Sequence, residues 1–192
     1  MKLLHIDSSL LGQNSASREL TADIVAHWLE TTPGLAVTYR DLDANPLPHL
    51  DGVALAKSDP AATAVADRVM EEFLTADVIV IGAPMYNFSV PSTLKAWIDR
   101  IAVAGKTFRY TEKGPQGLAV GKKVIVASTR GGIHSDAASD FVEPYLRFVL
   151  GFLGITDIEF VTAEGLAYSP EHRTQAMTAA HAAIRQPLPL AA

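Results

Sequence analysis

Residues 83 to 88 form an aromatic-rich segment, Ala-Pro-Met-Tyr-Asn-Phe, directly after the apolar run Val78 to Gly82. This position predicts a loop at the carboxyl end of a strand, where open parallel α/β sheets bind ligands because backbone donors are left unpaired there. Prolines stiffen both ends of the loop, and two aromatic rings flank an amide that can donate and accept hydrogen bonds. We therefore expect a flat, conjugated ligand. The predicted contacts are Pro84, Met85, Tyr86, Asn87 and Phe88.

A serine-rich turn follows the first predicted strand, which ends at Asp7. Amides at the start of the next helix lack partners and lie at the positive end of the helix dipole, so they can bind a phosphate. The turn has neither the Gly-x-Gly-x-x-Gly of dinucleotide sites nor a Walker lysine, which favours a phosphomonoester. Alternatively, Ser15 or Ser17 only caps the helix. The predicted phosphate contacts are Ser9, Ser15, Ala16 and Ser17.

A glycine turn, Ser-Thr-Arg-Gly-Gly, follows the fourth predicted strand. Glycines allow backbone to approach a ligand edge, although a purely structural turn explains two glycines equally well. Its position beside the other two loops favours a ligand role. Phosphate site, aromatic loop and glycine turn then follow the first, third and fourth strands, as in sheets that bind flavin mononucleotide. The predicted contacts are Ser128, Thr129, Arg130, Gly131 and Gly132.

Apolar runs of strand length alternate with segments of helical spacing. The predicted strands are Lys2 to Asp7, Ala36 to Arg40, Val78 to Gly82, Lys123 to Ser128, and Ile158 to Thr162. The predicted helices are Ser17 to Leu29, Pro60 to Leu74, Pro91 to Arg100, Asp140 to Leu153, and Pro170 to Arg185. This alternation predicts an α/β fold with a doubly wound, five-stranded parallel sheet and helices on both faces, in one domain over residues 1–192.

Two long connections, Leu42 to Asp59 and Ile101 to Gly121, separate these elements. Connections of this length in a compact domain are usually functional or interfacial. The second contains Phe108, Arg109 and Tyr110 before two glycine turns, and is expected to form either a small hairpin at the rim of the crevice or a surface excursion over a helix. Its aromatic residues favour the first interpretation.

Composition narrows the function classes. Hydrophobic residues make up 48% of the chain and charged residues 19%, which suits a large core. No stretch approaches the about 20 apolar residues of a membrane span, and no signal peptide is recognised, so we expect a soluble, cytoplasmic protein. Cysteine is absent, the net charge is −5, and the histidines are not paired as metal ligands, which argues against disulfides, nucleic-acid partners and a metal site.

These motifs resemble those of the FMN-dependent NADH-azoreductases, also described as NADH:quinone oxidoreductases, over nearly the whole chain. The matching motifs are Ser-x(5)-Ser-x-Ser from Ser9, Met85 to Phe88, Phe108 to Glu112, and Thr129 to Gly132. Relatives often have serine where Thr129 stands, and the hydroxyl is retained. Arg18 is not expected from the family pattern and is left out of the predicted site.

The resemblance implies a flavodoxin-like homodimer with two flavin sites at the subunit interface, and one tightly bound FMN per subunit. NADH would reduce the flavin, and quinones or aromatic azo compounds would then take up the electrons in a two-electron ping-pong cycle. The ribityl phosphate would lie at Ser9 and Ser15 to Ser17, and the isoalloxazine ring at Met85 to Phe88. No side-chain nucleophile is needed. Amides of the glycine turn would stabilise negative charge on the reduced ring.

Several alternatives remain open at this stage. An NADPH-preferring flavin or nitro reductase would use the same scaffold, and its 2′-phosphate would need a cation such as Arg109, Lys113 or Arg130. A one-electron flavodoxin carrier is less consistent with the mild net charge. His134 could donate to the flavin or assist protonation, but a loop histidine is more often solvated. His5 is expected to be a buried, hydrogen-bonded neutral imidazole.

Overall fold

Five parallel strands form the central sheet of the computed structural model, which describes residues 1–135 and 138–185. They are β1 (Lys2–Asp7), β2 (Ala36–Asp41), β3 (Val78–Pro84), β6 (Lys123–Thr129) and β7 (Asp157–Ala163), in the spatial order β2-β1-β3-β6-β7. A separate antiparallel pair contains β4 (Phe108–Thr111) and β5 (Gly114–Gly117). The chain reverses its direction of sheet growth after β2, so the switch point lies between β1 and β3.

Helices cover both faces of the sheet, as the alternating pattern predicts. They are α1 (Ala16–Thr31), α2 (Gly52–Ala56), α3 (Pro60–Thr75), α4 (Ser92–Ile101), α5 (Glu143–Phe152) and α6 (Pro170–Ile184). One buried cluster joins α1 and α6 to the sheet, and a larger cluster joins α3, α4 and α5 to the opposite face. The predicted doubly wound α/β architecture is therefore confirmed.

Strand β3 lies at the centre of the sheet, and all seven of its residues are buried. Val78 and Val80 pack in the α1/α6 cluster, while Ile79 and Ile81 pack in the cluster on the other face. A strand covered on both faces reads as a continuous apolar run, which explains why this element was recognisable in the sequence. Trp97 of α4 is fully buried in the second cluster.

Several element boundaries differ from the predictions. Strands β3, β6 and β7 continue to Pro84, Thr129 and Ala163, so residues assigned to loops belong to the sheet. Helix α5 begins at Glu143 and not at Asp140, because the Asp140 carboxylate accepts hydrogen bonds from the amides just before and at the helix start. The long connection after β2 contains α2, which sequence periodicity did not reveal.

The predicted hairpin after α4 is present as β4 and β5. Helix α4 runs back across the sheet, so the hairpin lies at the amino ends of the strands, where Ala119 donates to the Leu153 carbonyl at 2.8 Å. Phe108 packs against Phe152 with ring centroids 4.6 Å apart. The expectation that this hairpin rims the crevice is therefore wrong within one subunit, because the crevice lies at the carboxyl ends.

None of the helices in the described ranges has the length and apolarity that crossing a membrane would need.

Candidate functional site

A crevice of about 790 Å³ opens at the carboxyl edge of the sheet, beside the switch point. Leu10 from the loop after β1 and residues 85–87 and 89–90 after β3 form much of its wall. Ser92 and Lys95 of α4 and Tyr145 of α5 complete the lining. Open α/β sheets bind their ligands at this position, so the crevice is the candidate site.

The serine-rich turn is organised around the start of α1. Ser15 caps the helix, because its hydroxyl accepts a hydrogen bond from the Arg18 amide at 3.3 Å. Ser17 Oγ lies 3.1 Å from Ser15 Oγ, and both side chains are buried. The capping interpretation is thus confirmed for Ser15. A capping role does not compete with ligand binding, because a hydroxyl oxygen can also donate its own proton.

The first amides of α1 remain available for an anion. Within residues 1–135 and 138–185, neither the Ala16 nor the Ser17 amide donates a hydrogen bond to a protein acceptor. They lie at the positive end of a 16-residue helix. Two free amides and neighbouring hydroxyls at a helix amino terminus are the donor set that a phosphate group requires.

The phosphate-type turn and the aromatic loop are directly connected through Tyr86. Its hydroxyl lies 3.0 Å from Ser9 Oγ and accepts a hydrogen bond from the Leu10 amide at 3.3 Å. Ser8 adds a second link, because its hydroxyl donates to the Gly82 carbonyl at 2.6 Å. The two loops that follow β1 and β3 are therefore held as one unit.

The aromatic loop turns tightly between Tyr86 and Ser89. The two residues exchange backbone hydrogen bonds of 2.9 and 3.1 Å, and the central Asn87 and Phe88 have φ values of 49° and 68°. Positive φ at both central positions defines a type I′ turn. Asparagine tolerates this conformation, but it costs a phenylalanine about 1–2 kcal/mol. Phe88 is also 54% exposed, so a strained aromatic side chain is displayed beside the crevice.

The glycine turn continues from the end of β6. Thr129 pairs with Pro84 in the sheet, and its carbonyl accepts the Met85 amide at 2.8 Å. The carbonyls of Gly131 and Gly132 accept hydrogen bonds from the segment after β7, whereas their own amides donate none within the described residues. The carbonyls of the turn are thus held by the segment after β7, and its amides are available to the polar edge of a ligand.

Arg130 is buried beneath this turn, with 1% of its side chain exposed. Its Nη1 lies 2.9 Å from Asp140 Oδ2 and 3.0 Å from Glu164 Oε1. The backbone amide and carbonyl of Arg130 are bonded to residues of the segment around Ala163. The suggestion that Arg130 supplies a cation for a 2′-phosphate is therefore wrong, because its charge is already neutralised inside the protein.

Glu164 organises the segment that carries His134. The Glu164 Oε1 atom accepts the amides of His134 at 2.8 Å and Ser135 at 2.9 Å. Burial opposes ionisation of Glu164, but the hydrogen bonds from Ser135 and His134, together with the charge of Arg130, hold its pKa below the ordinary 4.5. A charged carboxylate thus fixes the backbone beside the glycine turn.

His134 lies between the aromatic loop and the glycine turn. Its Nδ1 is 2.9 Å from Ser139 Oγ, and its ring meets the Phe88 ring edge-on at 5.7 Å. A Cβ on Gly132 would approach His134 Nε2 to 2.9 Å, so a larger residue there would displace the imidazole.

His5 differs from the expected hydrogen-bonded imidazole, because its buried Nε2 lies 3.5 Å from Asp7 Oδ2 without an aligned hydrogen bond.

The structure brings the three predicted loops to one edge of the sheet, and Met85, Tyr86 and Asn87 line the crevice itself. Phe88, Gly131 and Gly132 are exposed or half-buried outside this lining. The other predicted residues are buried: Ser9, Ser15, Ala16, Ser17, Pro84, Ser128, Thr129 and Arg130. Two residues with clear local roles were missed, Arg18 and Glu164. Arg18 directly follows the Ser-x-Ser motif, which was the only available signal.

The chain matches the family model for a flavodoxin-like fold over residues 1–188. It is 62% identical over 186 residues to FMN-dependent NADH:quinone oxidoreductase 1 of Xanthomonas axonopodis pv. citri (strain 306), covering 97% of this chain and 96% of the relative. The FMN-dependent NADH:quinone oxidoreductase of Stenotrophomonas maltophilia (strain K279a) is 61% identical over 96% of this chain and 94% of its own.

Solved structures of azoreductases share this fold. An azoreductase from Bacillus anthracis str. Sterne superimposes with a TM-score of 0.88 at 29% identity, over 96% of each chain. An FMN-dependent NADH-azoreductase from Bacillus anthracis str. Ames Ancestor, solved in complex with FMN, gives 0.86 at 25% identity over 95% of each chain. The chain therefore belongs to the flavodoxin-like family of FMN-dependent NADH:quinone oxidoreductases.

Proposed function

We propose that this protein is an FMN-dependent NADH:quinone oxidoreductase that also cleaves aromatic azo compounds reductively. The observation that carries the proposal is the connection of three loops at one edge of the sheet. These loops are the serine-rich turn with the free amides that begin α1, the strained turn that displays Phe88, and the glycine turn. Tyr86 joins the first two loops through Ser9, and the Thr129 carbonyl joins the third loop to Met85. This is the donor set of a flavin mononucleotide site.

The phosphate end of FMN would bind at α1. The amides of Ala16 and Ser17 supply two donors, the hydroxyls of Ser15 and Ser17 lie close together at the same helix end, and Ser9 would contribute from the preceding loop. A dianionic phosphate would gain both charge-assisted hydrogen bonds and the helix dipole. The single domain over residues 1–192 is proposed to bind one FMN, although residues 136–137 and 186–192 lie outside the described structure.

The ring end would lie against Met85 to Phe88, with the amides of Gly131 and Gly132 directed to its polar edge. Bound FMN supplies two-electron chemistry, by accepting a hydride from NADH and reducing an acceptor. The amides would stabilise negative charge on the reduced ring, and Glu164 holds the adjoining backbone in place. His134, fixed by Ser139, is the candidate to hold a proton at this edge.

NADH and the acceptor would use the same part of the crevice in turn. Its wall is mainly apolar and aromatic, and its volume of about 790 Å³ admits a flat ring above a bound flavin. Quinones and azo compounds share this flat, conjugated shape. One slot for two substrates implies ping-pong turnover and broad acceptor specificity.

We further propose a homodimer that works in the cytoplasm, where NADH is supplied. The crevice is open on one side, and the aromatic hairpin of the same subunit lies at the opposite edge of the sheet. Tyr110 on this hairpin is 75% exposed, and Phe148 on α5 is 77% exposed. Apolar side chains of this size are typical of contacts between subunits. A second copy would cover them and place flavin sites at the interface.

The experiment that tests the proposal is anaerobic stopped-flow absorbance of the FMN-reconstituted protein. Mixing with NADH should bleach the flavin, and mixing the reduced protein with a quinone or an azo dye should restore the oxidised spectrum in a single two-electron step. Reduction by NADPH alone would favour the flavin or nitro reductase alternative. Failure to take up FMN, or accumulation of a one-electron semiquinone, would overturn the proposal.

A matched pair of variants tests the phosphate end. Ser17→Ala removes a hydroxyl at the start of α1, and Thr31→Ala removes one at the end of the same helix, where it bonds to the His27 carbonyl. We expect Ser17→Ala to weaken FMN binding about 10-fold to 100-fold, as for one lost hydrogen bond to a charged group. Thr31→Ala should leave FMN affinity unchanged. Equal affinities for both variants would contradict the assignment of this helix terminus.

A further inference from the structure

Arg18 lies directly behind the serine-rich turn and forms a two-sided clamp. On one side its guanidinium meets the Asp41 carboxylate at the end of β2, with Nη1 2.6 Å from Oδ2 and Nη2 2.8 Å from Oδ1. On the other side Nη2 and Nε donate to the Ser9 carbonyl at 2.8 and 3.3 Å. The Arg18 side chain is only 17% exposed, so this geometry is shielded from water.

The remaining donors and charge of Arg18 are also committed. Nη1 donates to the Tyr39 hydroxyl at 3.1 Å and lies 3.7 Å from Asp7 Oδ2. The hydrogen bonds from Arg18 hold the pKa of Asp41 at about 2, so this carboxylate is ionised throughout the physiological range. A guanidinium enclosed by two carboxylates and a carbonyl has little capacity left for a direct phosphate contact.

Asp41 is itself held rigidly. Its Oδ1 accepts the amides of Asp43 at 3.0 Å and Ala44 at 3.1 Å, in addition to Arg18. A continuous path of hydrogen bonds therefore connects the end of β2, through Asp41 and Arg18, to Ser9. Ser9 is fully buried, and its hydroxyl is the atom that touches Tyr86 of the aromatic loop.

We propose that Arg18 is a positioning residue for the FMN phosphate: it holds the Ser9 carbonyl, with Asp41 orienting it, so that the turn presents its donors to the phosphate. This inference rests on the proposed function, since it assumes that FMN binds at α1. Arg18 acts through Ser9 and does not touch the cofactor. Planar, bidentate geometry on both sides explains why arginine is needed, because lysine offers only a point charge.

The rival explanation is that Arg18 binds the phosphate directly as a cation. The two explanations predict opposite effects at Asp41. If Arg18 only supplies charge, Asp41→Asn removes a competing anion and should tighten FMN binding. If Arg18 positions the turn, Asp41→Asn loosens the clamp and should weaken FMN binding. Arg18→Lys should rescue a pure charge effect but not a positioning effect.

The experiment measures dissociation constants of FMN and of riboflavin, which lacks the phosphate, by flavin fluorescence with the full-length apoprotein. The variants are Arg18→Gln, Arg18→Lys and Asp41→Asn. The chain offers a matched control in the Arg40 and Glu72 pair, which is also bidentate, at 2.8 and 2.7 Å, and is similarly buried. Arg40→Gln disrupts an equivalent ion pair that starts on the same strand without touching the serine-rich turn.

We expect each Arg18 variant and Asp41→Asn to weaken FMN binding about 10-fold, as for one lost charge-assisted hydrogen bond between the turn and the phosphate. Riboflavin binding should stay within about 2-fold of the wild-type affinity. Arg40→Gln should leave the FMN-to-riboflavin ratio at the wild-type value. The ratio is measured within each variant, so a general loss of stability does not imitate the effect.

Three outcomes would overturn the inference: tighter FMN binding by Asp41→Asn, rescue by Arg18→Lys, or an unchanged FMN-to-riboflavin ratio in all three variants. Failure of the proposed function would look different, because the wild-type protein would then bind neither flavin, or would bind both with equal affinity.

Discussion

Replacing Arg130 by methionine tests the buried ion-pair cluster beneath the glycine turn. Methionine retains the unbranched, apolar part of the side chain and removes the guanidinium. The carboxylates of Asp140 and Glu164 then lose the charge that lies 2.9 and 3.0 Å away. Both are largely buried, with side-chain exposures of 10% and 15%. The substitution therefore leaves two shielded negative charges without their partner.

The expected loss of stability follows from the burial of these two carboxylates. Removing one partner of a buried ion pair costs about 3–5 kcal/mol, mainly because the remaining charge is uncompensated. An exposed pair gives the comparison: Lys106 and Asp67 lie 2.9 Å apart with side-chain exposures of 38% and 57%, so Lys106→Met should cost far less stability than Arg130→Met. Adding Glu164→Gln to Arg130→Met removes one of the two unpaired carboxylates. The double variant should therefore recover about 1–2 kcal/mol of the lost free energy of unfolding.

The assay is urea unfolding of the apoprotein, followed by circular dichroism at one fixed protein concentration. With a slope of about 2 kcal/mol per molar urea, a loss of 3 kcal/mol lowers the midpoint by about 1.5 M. Lys106→Met should move the midpoint by less than about 0.5 M. A midpoint for Arg130→Met within this smaller range, or a double variant less stable than Arg130→Met, would refute the reasoning.

Two further predictions concern helix docking and hairpin packing. Hydrogen bonding to Asp23 raises the pKa of His181. The charged imidazole therefore contributes its full stability below the ordinary pKa of 6.5, and this contribution is lost as the pH rises through the raised pKa of the folded state. We expect His181→Gln to flatten the dependence of Tm on pH across this window. A Cβ on Gly117 would overlap the backbone of Gly154. Gly117→Ala should therefore lower the free energy of unfolding, measured by calorimetry, by about 2–3 kcal/mol. The control is Gly151→Ala, whose Cβ meets open space and should not destabilise the protein.

The sheet was predictable because its strands are buried on both faces and therefore appear as continuous apolar runs. Strand ends were less predictable. Pro84 and Thr129 break the apolar pattern, yet they pair with each other because the ladder between β3 and β6 continues beyond it. Helix α2 was missed because five residues are too few to establish a helical period, although Asp51 caps it at the Ala54 amide.

The three predicted loops do meet at one edge of the sheet, because topology alone brings loops after neighbouring parallel strands to the same edge. The residues that hold these loops were not found. Arg18 depends on a partner 23 positions away, and Arg130 depends on Glu164, which is 34 positions away. Nothing in the neighbouring residues indicates such pairs. The left-handed turn at Phe88 was equally hidden, since phenylalanine is a poor choice for that conformation.

The continuation of the β3 and β6 ladder into the site determines how the two halves of the crevice respond to a ligand. The Met85 amide, bonded to the Thr129 carbonyl at 2.8 Å, should exchange its hydrogen only when the central sheet opens. The exposed turn at Gly12–Asn14 has no buried residue and should exchange far faster. Under the proposed function, the ring-binding loop is thus held at Met85 before FMN arrives. The loss of chain entropy on binding then falls mainly on Gly12–Asn14, the exposed part of the serine-rich turn.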